Sequence, residues 1–418
     1  MKMKYMLILL MLYSAASQAQ DTLSFPTYLQ QVGKNNLSYA AEKYNLDIAA
    51  ANVMMAKVFP DPELSVGIFN NGQRRMKLGY GFNSGLGYTL ELGGKRRARI
   101  DLARSEQQLA RYQLDEYFRN LRADATLAFL QVMHHQQLYE MKLNAWRYMQ
   151  ELAKADSIRF RTGMITETDA RQSNIEAGML LNETYGTAAD LKAAQVQLNQ
   201  LQGRFRSDTL PAINGDFRKF ERSFSLPELV INGQNARADL LTAMQQKDVN
   251  RKNLRLAKAS RIIDLGVNAG INNVSVVTNV VAPTPSMNTV SAGISIPLKF
   301  SNRNRGELLA AEANIRQGDM SYRQTELQVQ TEITQAYFNY LGAKQQLVQF
   351  DTGLLSNAYK VLEGRMYSYK RGETSLLEVL TARRTYNDVQ QQYYESLYNQ
   401  AAALVELERA AAVWDIEF

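Results

Sequence analysis

The side chains in this chain whose types suit chemistry do not converge on one point. His134 and His135 are the only histidines. They are neighbours on a helical stretch, so they leave the axis about 100° apart and do not chelate one ion together. His135 lies on the apolar seam of that helix and reads as a buried or interfacial polar residue. There is no cysteine, which removes thiolate metal sites and, in an exported chain, disulfides. The sixteen methionines, Met54 and Met55 among them, are scattered in the manner of packing residues. No Gly-x-Ser-x-Gly elbow and no phosphate-cradling loop is present. The expectation is therefore no enzyme, no cofactor and no resident metal. What does recur is a pair of turns, Gly163-Met164-Ile165-Thr166-Glu167-Thr168-Asp169 and Gly372-Glu373-Thr374-Ser375-Leu376-Leu377-Glu378. Each opens on a glycine suited to the positive φ of a helix end. Each then places acids in the first turn of the next helix, where the dipole favours negative charge.

Very long helices must hold these turns. Lys95 to Phe160 contains no proline and no glycine. Its seam reads Leu114, Phe118, Leu121, Ala125, Ala128, Val132, His135, Tyr139, Lys142, Trp146, Met149, Ala153, at steps of four and three. At 1.5 Å per residue such a helix is roughly 100 Å long. It does not fit inside one compact core and needs partners of matching length. After the turn at 163, a helix over 166–202 returns. Before it, Tyr28 to Lys57 reads as a first helix, with Leu29, Val32, Leu37, Ala41, Tyr44, Ile48 and Ala51 as its buried positions. Pro60-Asp61-Pro62 ends it.

Between these helices the period changes to two. Leu64, Val66 and Ile68 alternate with Ser65, Gly67 and Phe69, Asn70-Asn71-Gly72 turns, and a second alternation starts from Lys77, with Leu86, Tyr88, Leu90 and Leu92 on one face. The strand pair spans 63–92. Its glycines mark a sharply curved sheet, and Tyr80 and Tyr88 suit an interfacial aromatic girdle.

The second half repeats this order. A helix over 235–260, a strand pair over 264–298, a long helix over 304–369 with the seam Val329, Ile333, Ala336, Tyr340, Ala343, Leu347, Phe350, Leu354, a turn at 372 and a helix over 375–412 follow one another. Gly87 aligns with Gly293, Thr126-Leu127-Ala128-Phe129 with Thr334-Gln335-Ala336-Tyr337, and Phe160-Arg161-Thr162-Gly163 with Tyr369-Lys370-Arg371-Gly372. This is an internal duplication. Residues 20–207 form the first repeat, 208–228 an irregular connector, 229–412 the second repeat and 413–418 a tail.

Residues 1–19 read as a signal peptide, with Lys2 and Lys4, an apolar run from Tyr5 to Tyr13 and the small-x-small site Ser17-Gln18-Ala19. The formal charge of +7, which removal of Lys2 and Lys4 lowers, reads as helix solvation and not as nucleic-acid binding. The chain is exported and lacks a run long enough for a spanning helix, which leaves closed β-structure as the route into a membrane. Four strands do not close a membrane barrel, for which about 8 are the minimum. Several chains must combine their strands in a symmetric ring, and their helices must cover one another's seams. The fold class is mainly α with a small β part: duplicated long antiparallel helical hairpins, forming an α-barrel, plus four strands per chain contributing to a shared transmembrane β-barrel.

The duplicated order, the two turns quoted above and Ile296-Pro297-Leu298 before the second long helix resemble the TolC-type outer-membrane efflux proteins over nearly the whole mature chain. Leu90-Glu91-Leu92-Gly93-Gly94-Lys95-Arg96 resembles the heavy-metal cation branch of that family, many of whose members are lipoproteins, whereas this chain has no cysteine to lipidate. The resemblance implies a homotrimer in the outer membrane of a Gram-negative bacterium, with a 12-stranded barrel in lipid and an α-barrel in the periplasm. It implies a periplasmic adaptor and an inner-membrane pump as partners, and passive, gated conduction. It further implies a gate at the periplasmic tip, where the family's aspartate falls on Asp169, the preceding threonine on Thr168, the tyrosine partner on Tyr369, the second-repeat acids on Glu378 and Thr381, and the latch arginine on Thr374. Arg371 and Arg383 are candidates to replace that arginine. Asp169 and Glu378, matched in the two repeats, are candidates for a ring of carboxylates that constricts the pore and favours cations; the plainer reading is that each caps its helix. Gly163, Met164, Ile165, Gly372, Leu376 and Leu377 are the tips and candidate adaptor-docking residues, with packing inside the hairpin as the plainer reading.

Three alternatives are weighed against the efflux duct. A type I protein-secretion duct has the same plan. A periplasmic coiled-coil adaptor would show lipoyl-like and small β-barrel domains. A soluble scaffold leaves the Gly-rich strands without a purpose.

Overall fold

The computed structural model describes residues 23–70, 79–204, 212–298 and 303–415. The signal peptide, the start of the second strand at Lys77, the first part of the connector and the last three residues of the tail lie outside the described residues. The chain divides into two compact units. One contains residues 43–114 and 238–326, and the other contains the rest.

Each repeat begins with two helices where one was expected. In the first, α1 (Phe25–Asn35) and α2 (Leu37–Ala56) meet at Asn36, whose backbone is extended (φ −62°, ψ 120°). The Asn36 side chain accepts from the Tyr39 N–H at 2.9 Å and donates to the Leu201 carbonyl at 3.0 Å. It therefore caps α2, as a short amide does at a helix start. In the second repeat the corresponding pair is α5 (Leu226–Ala236) and α6 (Ala238–Ser260), and Arg237 is the extended residue (φ −67°, ψ 125°). Arg237 is 2% exposed, donates to the Ala410 carbonyl at 3.1 Å and meets Glu332 at 2.7 Å. Single helices over 28–57 and 235–260 are thus corrected to jointed pairs. Ser24-Phe25-Pro26 and Ser225-Leu226-Pro227 start the two short helices, with proline in the first turn, where its missing N–H is harmless. On α2 the buried positions are Ala49, Val53 and Ala56, while Leu37, Tyr44 and Ile48 are exposed in the single chain.

Helix α3 (Lys95–Arg161) runs 67 residues unbroken, and α4 (Glu167–Leu201) returns beside it. Leu121, Ala125, Val132, Met149 and Ala153 of the expected seam are buried. In the second repeat α7 (Arg305–Gln349) and α8 (Leu355–Lys370) are separated by a π-helical turn, Phe350–Leu354, in which Gly353 has φ 105°. The expected continuous helix over 304–369 is corrected accordingly: a left-handed residue breaks the regular ladder, and only glycine takes it without strain. Helix α9 (Leu376–Ala411) completes the chain.

The connector is better anchored than an irregular loop. Phe217–Phe220 forms a 3-10 turn with both phenylalanines buried. The Arg222 N–H donates to the Tyr340 hydroxyl at 2.7 Å, which donates in turn to the Phe220 carbonyl at 3.1 Å.

The unit of residues 43–114 and 238–326 carries the strands. β1 (Glu63–Asn70), β2 (Tyr80–Leu90), β3 (Leu265–Val274) and β4 (Met287–Ser295) form one antiparallel sheet in the order β1-β2-β3-β4. The two expected hairpins are therefore joined, β2 to β3, in a single meander. The stretch Glu91 to Arg99 fastens the sheet to α3. Lys95 meets Asp264 at 2.7 Å, Arg99 meets Glu91 at 2.7 Å, and Arg99 and Arg96 donate to the carbonyls of Ala56, Val58 and Lys57 at the end of α2. Gly93 and Gly94 both have positive φ there.

Candidate functional site

Two surfaces follow from these elements, one on the sheet and one at the helix turns. On the sheet the register sorts side chains by face. Leu64, Leu86, Ala269 and Ala292 lie across one face; Ile68 with Phe82, and Val267 with Ile294, extend it. Ser65, Gly85, Gly270 and Ser291, with Gly67, Asn83, Asn272, Asn268 and Gly293, lie across the other. The first face is apolar and open, with Ile68 86% exposed and Leu64, Val66, Val290 and Ile294 also uncovered. The second is dominated by glycine and short polar side chains, with Phe69, Val274 and Met287 at the strand ends nearest the turns. An oily face on one side and a slender polar face on the other is the pattern of a strand set with lipid outside and an aqueous lumen inside. Among the described residues, no helix is long and apolar enough to cross a membrane.

The other unit carries both turns. Their backbones are alike. The Met164 N–H reaches the Arg159 carbonyl at 2.8 Å and the Glu373 N–H reaches the Ser368 carbonyl at 2.9 Å, each around a glycine at φ 76° or 79°. This is the Schellman ending, in which the left-handed residue satisfies the last carbonyls. An added Cβ would meet nothing within 4 Å at Gly163 or Gly372, so φ alone demands glycine there.

The acids after the turns sit at equivalent positions and make different contacts. Thr166 caps α4, accepting from the Asp169 N–H at 3.1 Å and donating to its carboxylate at 2.7 Å. Ser375 caps α9, accepting from the Glu378 N–H at 3.4 Å. The Glu378 carboxylate accepts from Thr374 at 2.5 Å and from Arg365 at 2.6 Å. The arginine that meets Glu378 is therefore Arg365, and neither of the two candidates. Arg371 goes to Tyr367 at 2.8 Å and Glu373 at 3.2 Å, and Arg383 lies over the Tyr148 ring at 5.0 Å. Thr168 is exposed, and Thr381 donates back to the Leu377 carbonyl at 2.9 Å.

Tyr369 is not partnered by Asp169. Its hydroxyl donates to Oδ1 of Asp156 at 3.0 Å, in a buried contact between α8 and α3. The guanidinium of Arg159 lies 5.1 Å from the centre of the Tyr369 ring and donates to the Lys370 carbonyl at 2.8 Å. Burial raises the pKa of Asp156, against the hydrogen bond from Tyr369 and the nearby Arg159. Burial, with the Asp156 charge behind it, pushes the Tyr369 phenol up to about 12. A second tie joins α4 to α9, where Arg384 grips Glu176 with two contacts of 3.1 and 2.8 Å. Around both ties Met149, Ala153, Ala177, Leu180, Leu376, Val379 and Leu380 form one apolar core.

Leu376 is 4% exposed and belongs to that core, which removes it from the docking surface and supports its plainer reading as packing. Leu377 (72% exposed) and Met164 (73%) are uncovered, and Ile165 is half-buried. Asp156 and Glu176 escaped the sequence reading although a signal was present. Asp156 continues the step of three after Ala153 on the seam, and Glu176 lies three past the buried Ser173. A charged residue on a seam needs a partner across it. His134, not His135, is the buried histidine. It stacks on Tyr398 at 4.9 Å, and burial pulls its pKa to about 4, so it is neutral at neutral pH. Among the described residues no group of three or more His, Cys, Asp or Glu side chains could hold a metal ion.

A duplicated pair of helical hairpins with a two-faced four-stranded sheet defines an outer-membrane channel subunit. The chain matches the outer membrane efflux protein family over residues 28–204 and 232–413, and it belongs to that family. It is an efflux channel subunit of the Gram-negative outer membrane that reaches into the periplasm, and the family supplies channel components of tripartite pumps. The cobalt-zinc-cadmium resistance protein CzcC of Cupriavidus metallidurans is 23% identical over 373 residues, which is 88% of this chain and 85% of CzcC. The outer membrane protein TolC of Escherichia coli is 23% identical over 270 residues, 58% of this chain and 51% of TolC. In fold, a membrane protein from Pseudomonas aeruginosa aligns with TM-score 0.77 and 16% identity, covering 94% of this chain and 93% of that one. A crystal structure of CusC aligns with TM-score 0.76 and 17% identity, covering 93% of each.

Proposed function

We propose that three copies of the chain close one barrel of 12 strands in the outer membrane, four from each, and that their hairpins form the duct that receives cargo from a periplasmic adaptor and an inner-membrane pump. The observation that carries this reading is the sheet. It has an uncovered apolar face, an opposite face dominated by glycine and short polar side chains, and two outer strands, β1 and β4, that pair on one side only among the described residues. Exposed strand edges and an oily face are both liabilities in water. Pairing β4 of one copy with β1 of the next removes the edges, and lipid takes up the oily face. Leu37, Tyr44 and Ile48, uncovered in one chain, are candidates for contact with a neighbouring copy. The chain has no cysteine, which makes the test clean. Cysteines placed in pairs along β1 and β4, such as Val66→Cys with Val290→Cys and its register neighbours, should give an oxidised ladder in outer-membrane fractions that ends at three. A ladder ending at two, or a protein recovered from the aqueous fraction, would overturn the reading.

The proposed cargo class is a divalent transition-metal cation. Support comes from the likeness to CzcC along 88% of this chain and from the acids Asp169 and Glu378 at the turns, where carboxylates favour cations. Met164, Ile165 and Leu377 are the proposed docking residues for the adaptor, and Tyr369, Asp169 and Glu378 the proposed gate. A strain lacking the gene should lose tolerance to cobalt, zinc or cadmium and regain it on complementation. Unchanged metal tolerance with a lost secreted polypeptide would favour the protein-secretion duct instead.

A further inference from the structure

Helices α3, α8 and α9 line an open cleft of about 650 Å³ that the duct reading does not use. Its walls mix aromatic, apolar and amide side chains: Tyr148, Met141 and Asn144 from α3, Tyr359 and Met366 from α8, Tyr386, Asn387, Gln390 and Tyr394 from α9. Its charged groups are unevenly placed. Glu140, Glu363 and Lys370 are exposed and stand at the rim. Arg383 is half-buried, with its guanidinium 5.0 Å from the Tyr148 ring centre and, among the described residues, no carboxylate paired with it. Every other arginine described at the turns has an oxygen acceptor: Arg159 a carbonyl, Arg365 and Arg384 carboxylates, Arg371 a phenol and a carboxylate. Burial lowers the pKa of Arg383, and the neighbouring Tyr148 and Tyr386 phenols offset it only in part. Ring faces offer a guanidinium only part of what water gave it, and a planar fork of N–H donors is the geometry that grips a carboxylate with two bonds.

We infer that this cleft is a binding site for an aromatic carboxylate, with Arg383 gripping the carboxylate and the tyrosine rings flanking the ligand's ring. The volume falls within the roughly 300–1,000 Å³ of small-molecule pockets and leaves room for substituents on the ring. Tyr148 and Tyr386 line the site from helices of different repeats, so a bound anion ties the two repeats together. This inference stands apart from the duct reading, because it concerns occupancy and not transport.

The test uses the full-length protein in detergent, with benzoate as the probe and benzamide as its uncharged analogue, followed by saturation-transfer NMR and calorimetry. The expected result is that benzoate binds and benzamide binds about tenfold more weakly, or not detectably, since hydrogen bonds to a charged group are the strong ones. Arg383→Gln should weaken benzoate by about tenfold or more and leave benzamide unchanged. Arg383→Lys keeps the charge without the fork and should fall between. Tyr386→Ala should weaken both probes, and serves as the second variant if Arg383→Gln does not fold. Equal binding of the two probes, unchanged benzoate binding in a folded Arg383→Gln or Arg383→Lys variant, or no binding of benzoate to the unaltered protein would overturn the assignment.

Discussion

Between Gly94 and Gly163 the first repeat has no glycine, and α3 is one helix of 67 residues. The equivalent stretch of the second repeat has Gly306, Gly318, Gly342, Gly353 and Gly364, and it is two helices joined by a π turn. Four of those five glycines remain helical and only Gly353 takes positive φ. The two repeats thus share an order of elements and differ in the continuity of the long helix. An unbroken helix holds one axis, whereas a π turn with a left-handed residue is a named cause of a change in axis. The same asymmetry appears where the short helices meet α2 and α6. The first repeat uses a neutral cap, Asn36, and the second a buried cation, Arg237, to hold the same extended residue. Duplication supplied the frame, and each copy then solved its own backbone problem with different chemistry.

The sharpest way to break that comparison is at the two joints. Arg237→Ala removes the donor to the Ala410 carbonyl and leaves Glu332 with only the Gln328 amide, at 2.8 Å, as a donor. The expected cost is about 2–3 kcal/mol, below the figure for a fully buried pair because Glu332 is 39% exposed. Asn36→Ala loses a cap and should cost about 1 kcal/mol. Thermal unfolding of the purified protein, followed by helical circular dichroism, measures both. Equal costs would mean that the cation is no more than a cap.

Across the repeats, Tyr369→Phe tests the tie between α3 and α8. It leaves Oδ1 of Asp156 without its phenol donor in a buried setting, and about 1–3 kcal/mol is the expected loss. If the tie helps close the channel, conductance of the reconstituted protein should rise as well. A variant with unchanged stability would show that Asp156 finds another donor at no cost.

Within the second long helix, Gly353→Ala forces a Cβ into a left-handed conformation and should cost about 1–2 kcal/mol. Gly342→Ala, in regular helix with nothing within 4 Å of the added carbon, should instead gain up to about 1 kcal/mol. Opposite signs at two glycines of one stretch would locate the joint at Gly353. Two losses of equal size would argue against it.

These particulars also show what the sequence could carry. The seam of α3, the alternation of the strands and the paired Gly turns are periodic or positional signals, and each reappears in the structure. The sheet faces were legible because strand period and glycine placement agree. What stayed hidden depends on contacts far apart in sequence. Asn36 and Arg237 are ordinary polar residues until the Leu201 and Ala410 carbonyls come near them. Asp156 was on the seam but its partner Tyr369 lies 213 residues later. The carried-over pairing of Tyr369 with Asp169 failed for the same reason: a family pattern fixes positions, while the local packing decides which carboxylate the phenol reaches. Gly353 looked like its four helical neighbours, and nothing in its spacing marks it as the one that turns.

The smallest expected effect concerns pH. Asp156 faces Tyr369 on α8, Arg159 on its own helix and Asp169 on α4, and its pKa stands above the ordinary carboxylate value because burial outweighs the help from Tyr369 and Arg159. Its raised native pKa means that the folded chain holds this proton more tightly than the unfolded chain does. Stability from this site is therefore full below the unfolded pKa and is lost as pH rises through the native one. Asp156→Asn is neutral at every pH and still offers Tyr369 an oxygen. Its unfolding temperature, relative to the unaltered protein, should climb as pH is raised from the unfolded carboxylate pKa through the native one and then level off. If the variant instead falls behind as pH rises, the attraction of Arg159 for an ionised Asp156 outweighs desolvation. The charge of Asp156 would then help hold the contact between the repeats.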